Sequence, residues 1–302
     1  MVRSPFRTNH SVVPRRAEAI PMTLHWNHVR ISASEHVGAR GISRPEPPAA
    51  LHGLISDLRA ADPAGRWFFH WSDEPFPSAL DVWAGGTAGV LEEFAPRFEE
   101  LGAALGKTPG HPPAHGEFPA PAGMSRELLG IECADEVSTA SSELALAVCA
   151  EPVADQRAQL ALAVWQLRHV VALLDESARR GFLFRVWQHR TAALSPAQRT
   201  ALCTRGAETC TVLADGLPAM SPAVQRGWDG YLRTLRRTAL AWRAGDAPVN
   251  YLLFEHTHLT LRRLRVPPAV EALAARTLRA ALTPSGADRQ PLAVPGAVLQ
   301  TA

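Results

Sequence analysis

Hydrophobic and polar positions along this chain change their period several times, and the changes predict its layout. From Leu24 to Ser32 they alternate, with Leu24, Trp26, His28 and Arg30 on one side and Val29 and Ile31 on the other. That is the pattern of a β-strand. A Pro/Gly-rich break over Gly38–Pro48 comes next. From Ala49 to Ala60 the apolar residues Leu51, Leu54, Ile55 and Leu58 fall three and four apart, which predicts an amphipathic helix. Trp67–Trp71 (WFFHW) reads as a second strand, SDEPFPS as a turn, and Ala79–Ala84 as a third strand closed by a Gly-Gly turn. Val90–Leu105 returns to helical spacing. Interleaved strands and helices imply a mixed sheet with helices packed on it.

The second half has a different character. Lys107–Gly123 is crowded with proline, glycine and histidine and holds no regular element; it is a connector between halves or a lid. Helical periodicity then runs through Glu136–Val148, Arg157–Glu176 and Ala178–Ala193. Ser195 followed by Pro196, and Ser221 followed by Pro222, are helix starts, with the serine at the N-cap and proline at the first helical position. They open helices over Pro196–Cys210 and up to Trp242. Asn250 begins a further segment and Pro267–Pro268 starts a last helix, Ala269–Leu282. The fold class expected is α+β, with a sheet-rich part over 22–106, a loop over 107–123 and a helix-rich part over 124–282. Residues 1–21 read as a basic tail or as sequence upstream of a start at Met22, and 283–302 as a disordered tail.

Composition narrows the function little. The 302 residues are 46% hydrophobic with a net charge of +2, which is ordinary for a globular protein and gives no overall field for nucleic acid. No apolar run reaches the roughly 18–20 residues of a membrane span, and the start of the chain lacks the apolar core of a secretory signal. Cys133, Cys149, Cys203 and Cys210 form no CxxC pair; they are expected to be reduced, mostly buried thiols of a cytoplasmic protein.

Groups able to do chemistry gather in the thirteen residues from Tyr251 to Arg263, and any active site is expected to be lined by this stretch. It carries His256, His258, Glu255, Arg262 and Arg263. On a helix the two histidines diverge by about 200°. The spacing is wrong for a helical zinc pair, so no metal is expected. One buried and one surface histidine is one reading; one of them acting as acid or base near neutral pH is the other. Adjacent arginines lie about 100° apart on a helix, so one can face a cleft while the other is solvated. Trp26, Trp67, Trp71 and Trp83 fall on strands, where an aromatic face is core or a platform for flat ligands. No phosphate loop, dinucleotide fingerprint or GxSxG elbow is present.

Three segments together resemble one family. His258-Leu259-Thr260-Leu261-Arg262-Arg263-Leu264 is similar to the H-[LM]-x-x-N-R-L motif of the elimination domain of class I lantibiotic dehydratases, with Arg262 in place of the asparagine. Glu271 and the helix Ala274–Leu278 fit the family's pattern beyond that motif. Ala134–Val137 through Ser141–Leu144 looks like the family's central helix. Trp26–Arg30 and Trp67–Trp71 look like its opening strands. Eliminating members carry alternating arginines on the strand after the WFF segment. Here that strand is Ala79-Leu80-Asp81-Val82-Trp83, and the arginines are missing. The relatives that lack them are the thiopeptide and pyritide pyridine synthases, which this chain resembles most.

The resemblance implies a cofactor-free pyridine synthase. Two dehydroalanines of one leader-bearing precursor peptide would join in a formal [4+2] aza-cycloaddition, with loss of water and of the leader. His258 would shuttle protons and Tyr251 would donate a hydrogen bond to the reacting amide. Arg263 would orient the peptide, and Trp71, Asp81 and Trp83, with Trp26, His28 and Ser141, would bind it. Contacts with other biosynthetic enzymes are implied as well. A split glutamate eliminase and a non-catalytic peptide-binding scaffold are the alternatives.

Overall fold

The computed structural model describes residues 25–32, 37–38, 41–42, 49–72, 79–104, 131–151, 156–192, 194–204, 220–245 and 247–282. Both tails, Met22 and the 107–123 loop lie outside these residues. Strand β1 (His25–Ser32), β4 (Arg66–Ser72) and β5 (Ala79–Gly86) form a sheet in the order β1-β5-β4, and a short hairpin of β2 (Val37–Gly38) and β3 (Gly41–Ile42) occupies the predicted break. Helix α1 (Ala49–Ala61) connects β1 to β4, and α2 (Ala88–Ala104) comes after β5. The expected mixed sheet is instead antiparallel at every described pairing. β1 and β4 run parallel through the α1 crossover, but β5 inserts between them, giving a split β-α-β arrangement.

The helical part comprises α3 (Ile131–Cys149), α4 (Gln156–Ala172), α5 (Glu176–Thr191), α6 (Pro196–Thr204), α7 (Pro222–Ala244), α8 (Val249–Arg263) and α9 (Pro268–Ala281). Both predicted serine caps form. Ser221 Oγ accepts from the Val224 N–H, and Ser195 and Gln198 bond reciprocally as a capping box. One hydrophobic core runs from α1 and the inner sheet face (Trp67, Phe69, Trp71, Leu80, Val82) through α3 and α4 to α9. α4 is buried over most of its circumference, with the side carrying Trp165, Arg168, His169 and Ala172 left open.

Edge strand β4 is sealed rather than left open. Its Trp67 and Phe69 N–H groups donate to Thr139 Oγ1 and Ser142 Oγ of α3, and the Phe69 carbonyl accepts from Arg263 of α8. An unpaired strand edge is a template for aggregation, and side-chain hydroxyls here take the place of a fourth strand. At the opposite corner Asp62 accepts from the N–H groups of Ala64, Gly65 and Thr87, tying the α1–β4 turn to the β5–α2 turn. Of the four thiols, Cys149 is half-buried and Cys203 exposed, each near the end of its helix, while Cys210 and the side chain of Cys133 lie outside what the structure describes. No helix among the described residues is long and apolar enough to cross a membrane.

Candidate functional site

Strand alternation divides the sheet into two unlike faces. The register pairs His28 with Trp83 and Phe68, and Arg30 with Asp81 and His70, so these six share one face, with Trp26 next to Gly85. Trp83 stacks on His28 (4.7 Å), on His70 (4.6 Å) and on Phe68 (5.2 Å). Trp26 leans on Phe68 at 5.7 Å and lies flat over Gly85, where a β-carbon would sit 2.8 Å from the indole. Glycine is required there so that the indole can cover the strand. Asp81, nearly buried, gathers three cationic or titratable groups: His28 Nε2 at 2.9 Å, His70 Nε2 at 3.6 Å and Arg30 Nε at 3.8 Å. Burial first, and then the nearby Arg263, Arg262 and His28, push the His70 pKa down to about 4 against the raising pull of Asp81. His70 is therefore neutral at pH 7.

Trp71 does not belong to this face. It pairs with Leu80 on the opposite side and is 1% exposed in the core, so the expected cleft of Trp71, Asp81 and Trp83 is corrected to Asp81 and Trp83 with His28 and His70. The cause is the two-residue period itself: odd and even positions of β4 point apart.

Helix α8 supplies the second component. Tyr251, Glu255, His258 and Arg262 recur at intervals of four, three and four, forming one stripe about 16 Å long. The positive charge of Arg262 depresses the pKa of both His258 and His70, which brings the end of the stripe to the sheet face. His258 is 20% exposed, and its Nδ1 lies 3.3 Å from Glu271 Oε2 of α9, whose carboxylate also pairs with Arg190 Nε of α5 at 3.1 Å. A carboxylate held by arginine only accepts, so His258 donates from Nδ1 and presents Nε2 as a base. Burial, the largest effect, lowers the His258 pKa, and Glu271 raises it. The Glu255 carboxyl is pushed up by burial and pulled down by Arg190. Tyr251 is 39% exposed at the first turn, with its phenol raised by partial burial and Glu255.

The turn after α8 makes this meeting of His258 and Glu271 geometrically available. Val266 N–H bonds to Leu261 O and Arg265 N–H to Arg262 O, a Schellman closure with Arg265 in the left-handed region at φ 62°. The chain reverses there, and Glu271, in the first turn of α9, returns to α8.

Two expected ligand-binding residues turn out to be internal. Arg263 is 1% exposed, donates to Phe69 O (2.6 Å) and Ser141 Oγ (2.7 Å), and lies over the Phe68 ring. Burial lowers its pKa, to about 9. Ser141, fully buried, accepts that bond and donates to Ser138 O. The pair bolts α8 to α3 and β4, and it is Arg262 that joins the ionisable stripe. His256 is likewise buried, stacked on Trp242, with neither ring nitrogen hydrogen-bonded among the described residues and its pKa pushed down by burial to about 3. Sequence reasoning missed His70, Arg190 and the role of Glu271. The first was legible as the residue sharing the face of Phe68, and the last as a lone acid in the apolar run of α9. No cluster of three or more His, Cys, Asp or Glu suited to a metal ion occurs among the described residues.

No protein-family model and no curated protein matches the sequence. Solved structures do match in shape. Pyridine synthase TbtD from thiomuracin biosynthesis aligns with TM-score 0.54 at 16% identity, over 85% of this chain and 97% of that one. TsrL aligns with TM-score 0.54 at 13% identity, over 86% and 98%. The tRNA-dependent lantibiotic dehydratase MibB from Microbispora sp. 107891 aligns with TM-score 0.51 at 16% identity over 87% of this chain, which spans 28% of the length of that protein. At these identities the likeness is one of architecture: the chain has the lantibiotic-dehydratase-like fold that the resemblance of its motifs implies, shared over nearly its whole length with a pyridine synthase.

Proposed function

We propose that this protein is a pyridine synthase acting on a ribosomally made, modified peptide. The observation that carries the reading is the centre of the sheet face, where Asp81 and Trp83 are flanked by His28 and His70; by the resemblance of its motifs, this is about where eliminating members carry their arginines. A face built around a buried carboxylate is poorly suited to a glutamate ester's carboxylate, and its stacked rings suit flat heteroaromatic groups of a peptide. The fold shared with TbtD over 85% of this chain supports the same reading.

In the proposed reaction one dehydroalanine reacts as a 2-azadiene through the iminol tautomer of its amide, and the other supplies the alkene. Two carbon–carbon bonds close the six-membered ring. Loss of water from the former amide carbon and then of the leader, departing as an amide, gives the pyridine. Bringing two distant alkenes together accounts for about 7–11 kcal/mol of such a barrier. The steps also move protons at the amide and at both leaving groups. His258 Nε2, neutral and oriented by Glu271, takes and returns these protons. Tyr251, on the same helix face, is the donor to peptide lying along the stripe, and the part-exposed rings of His28 and His70, backed by the buried Trp83, form the platform.

One observation favours a second reading. Arg30 sits across from Asp81 and Arg262 lies near His70, so cations border the face although β5 carries none. A glutamate eliminase using them is the alternative. Mass spectrometry of the protein with a leader-bearing peptide containing two dehydroalanines separates the cases. Loss of water together with release of the leader amide is expected. Loss of glutamate from a glutamylated peptide would favour elimination, and binding without mass change would favour a scaffold. Full turnover by His258→Ala would remove the acid–base assignment. Gain of glutamate elimination by Asp81→Arg/Trp83→Arg would establish why the eliminases' arginines matter.

A further inference from the structure

A second concave site lies away from the sheet face and shares no residue with it. Between α4 and α7 is a cleft of about 290 Å³ lined by Trp165, His169, Trp228, Leu232, Arg233 and Arg236, among others. Its α7 wall is a regular stripe: Gln225, Trp228 and Asp229, Leu232 and Arg233, and Arg236 recur at helical spacing over about 16 Å. The floor is aromatic, with Trp228 buried and Trp165 half-buried, and the ring of His169 stands edge-on to Trp165 at 4.6 Å. The rim is cationic. Arg233 and Arg236 are exposed, as is Arg168 beside them on α4, and none of the three forms an ion pair with a described residue. The single acid of the lining, Asp229, is engaged by Gln225. Two polar groups in the wall, the Trp228 indole N–H and His169 Nε2, have no hydrogen-bond partner among the described residues.

We propose that this cleft docks an acidic peptide segment, with apolar or aromatic side chains against Trp165, Trp228 and Leu232 and carboxylates toward Arg233 and Arg236. An elongated wall three helical turns long suits a peptide laid along it, in the manner of a helix in a groove. The guanidinium pair at one end selects negative charge and sets the direction of the bound segment. The inference goes beyond the proposed reaction, since it concerns a separate site and stands whether or not a pyridine forms.

The test uses the full chain and a fluorescein-labelled synthetic peptide of roughly 15 residues, with glutamate on one helical face and leucine and phenylalanine on the other, read by anisotropy. Binding should weaken about tenfold or more in Arg233→Glu/Arg236→Glu, and should fall as salt is raised. The equal charge change Arg180→Glu/Arg185→Glu, on α5 and outside the lining of the cleft, should leave it intact. A peptide with lysine in place of glutamate should bind the Arg233→Glu/Arg236→Glu protein better than the parent. All these sites are exposed, so circular dichroism should show unchanged folding. Equal binding by both double variants, equal binding of the lysine peptide to the parent, no binding up to about 1 mM, or full competition by inorganic phosphate alone would each overturn the proposal. None of these readouts requires turnover, so failure of the proposed reaction would not be mistaken for failure here.

Discussion

Replacing Arg263 should unfold the meeting point of the two halves before it changes any substrate contact. The guanidinium is buried and makes two short bonds, to the Phe69 carbonyl at 2.6 Å and to Ser141 Oγ at 2.7 Å. Hydrogen bonds to a charged partner contribute about 1.5–3 kcal/mol each. Arg263→Ala removes both, leaves the edge carbonyl of β4 without its donor and opens a void between α3, α8 and the strand. Against this stands relief of the burial that pulls the Arg263 pKa down. The net expectation is a loss of about 3–5 kcal/mol, a large part of the roughly 5–15 kcal/mol that holds a domain together. Urea unfolding monitored by circular dichroism measures it, and Arg263→Met, which keeps the stem volume, should recover the packing share but not the bonds. Should Arg263→Ala cost less than about 1 kcal/mol while peptide affinity drops sharply, the internal role would be refuted and the ligand-orienting role expected from the sequence restored.

Glu271→Gln should cost about 3–5 kcal/mol, since it leaves Arg190 without its buried counter-charge, and NMR titration should show the His258 pKa falling further once the Glu271 carboxylate is gone. His256 and His70 are held neutral in the fold, with pKa values near 3 and 4 against 6.5 when unfolded, so the unfolded chain binds more protons below pH 6.5. Stability should be full above that pH and fall on acidification at about 1.4 kcal/mol per pH unit for each group down to its folded pKa; His256→Phe should flatten the slope in urea titrations between these limits. Ser142→Ala strands the Phe69 N–H at the sealed sheet edge and should cost about 1–3 kcal/mol in the same assay. Gly85→Ala places a β-carbon 2.8 Å from the Trp26 ring and should lower the melting temperature by the equivalent of about 1–3 kcal/mol, with a shift in tryptophan emission as the indole moves.

What the sequence revealed and what it hid divide along the range of the interactions. Helix starts at Ser195 and Ser221, the three sheet strands and most helix ends depend on neighbours within a few residues, and periodicity finds them. Which strand lies in the middle is a question of long-range pairing, so the antiparallel insertion of β5 between β1 and β4 was not legible, and neither was the sealing of β4 by α3. The stretch from Tyr251 to Arg263 stands out in the sequence for its density of polar groups, but density does not tell a ligand contact from an internal bolt. Arg262 and Arg263 are indistinguishable by composition. Only the helix phase, fixed by the buried Leu252, Leu253 and Leu261, turns Arg263 inward and Arg262 toward the stripe. Trp71 was misplaced through a neglected rule, since alternation along WFFHW already separates it from His70.

The middle strand of a three-stranded sheet is where one substitution changes the field felt across the whole face, because each of its side chains touches both neighbouring strands. Asp81 uses that position fully. Its carboxylate lies within ion-pair distance of His28 and Arg30 on one side and His70 on the other. An arginine in its place would repel Arg30 and would need an anion to be tolerated, and a substrate carboxylate can supply one. With aspartate the face neutralises itself, and no anionic ligand is required to balance it. Trp83 then fills the neighbouring position with a ring that both histidines stack on. On the proposed reading, an eliminating and a cyclising site would differ by the sign of the charge at the centre of the sheet, with the His258–Glu271–Arg190 cluster on the helices left to move protons. The reaction would then be set by what the sheet can hold, and its acid–base chemistry by the helices.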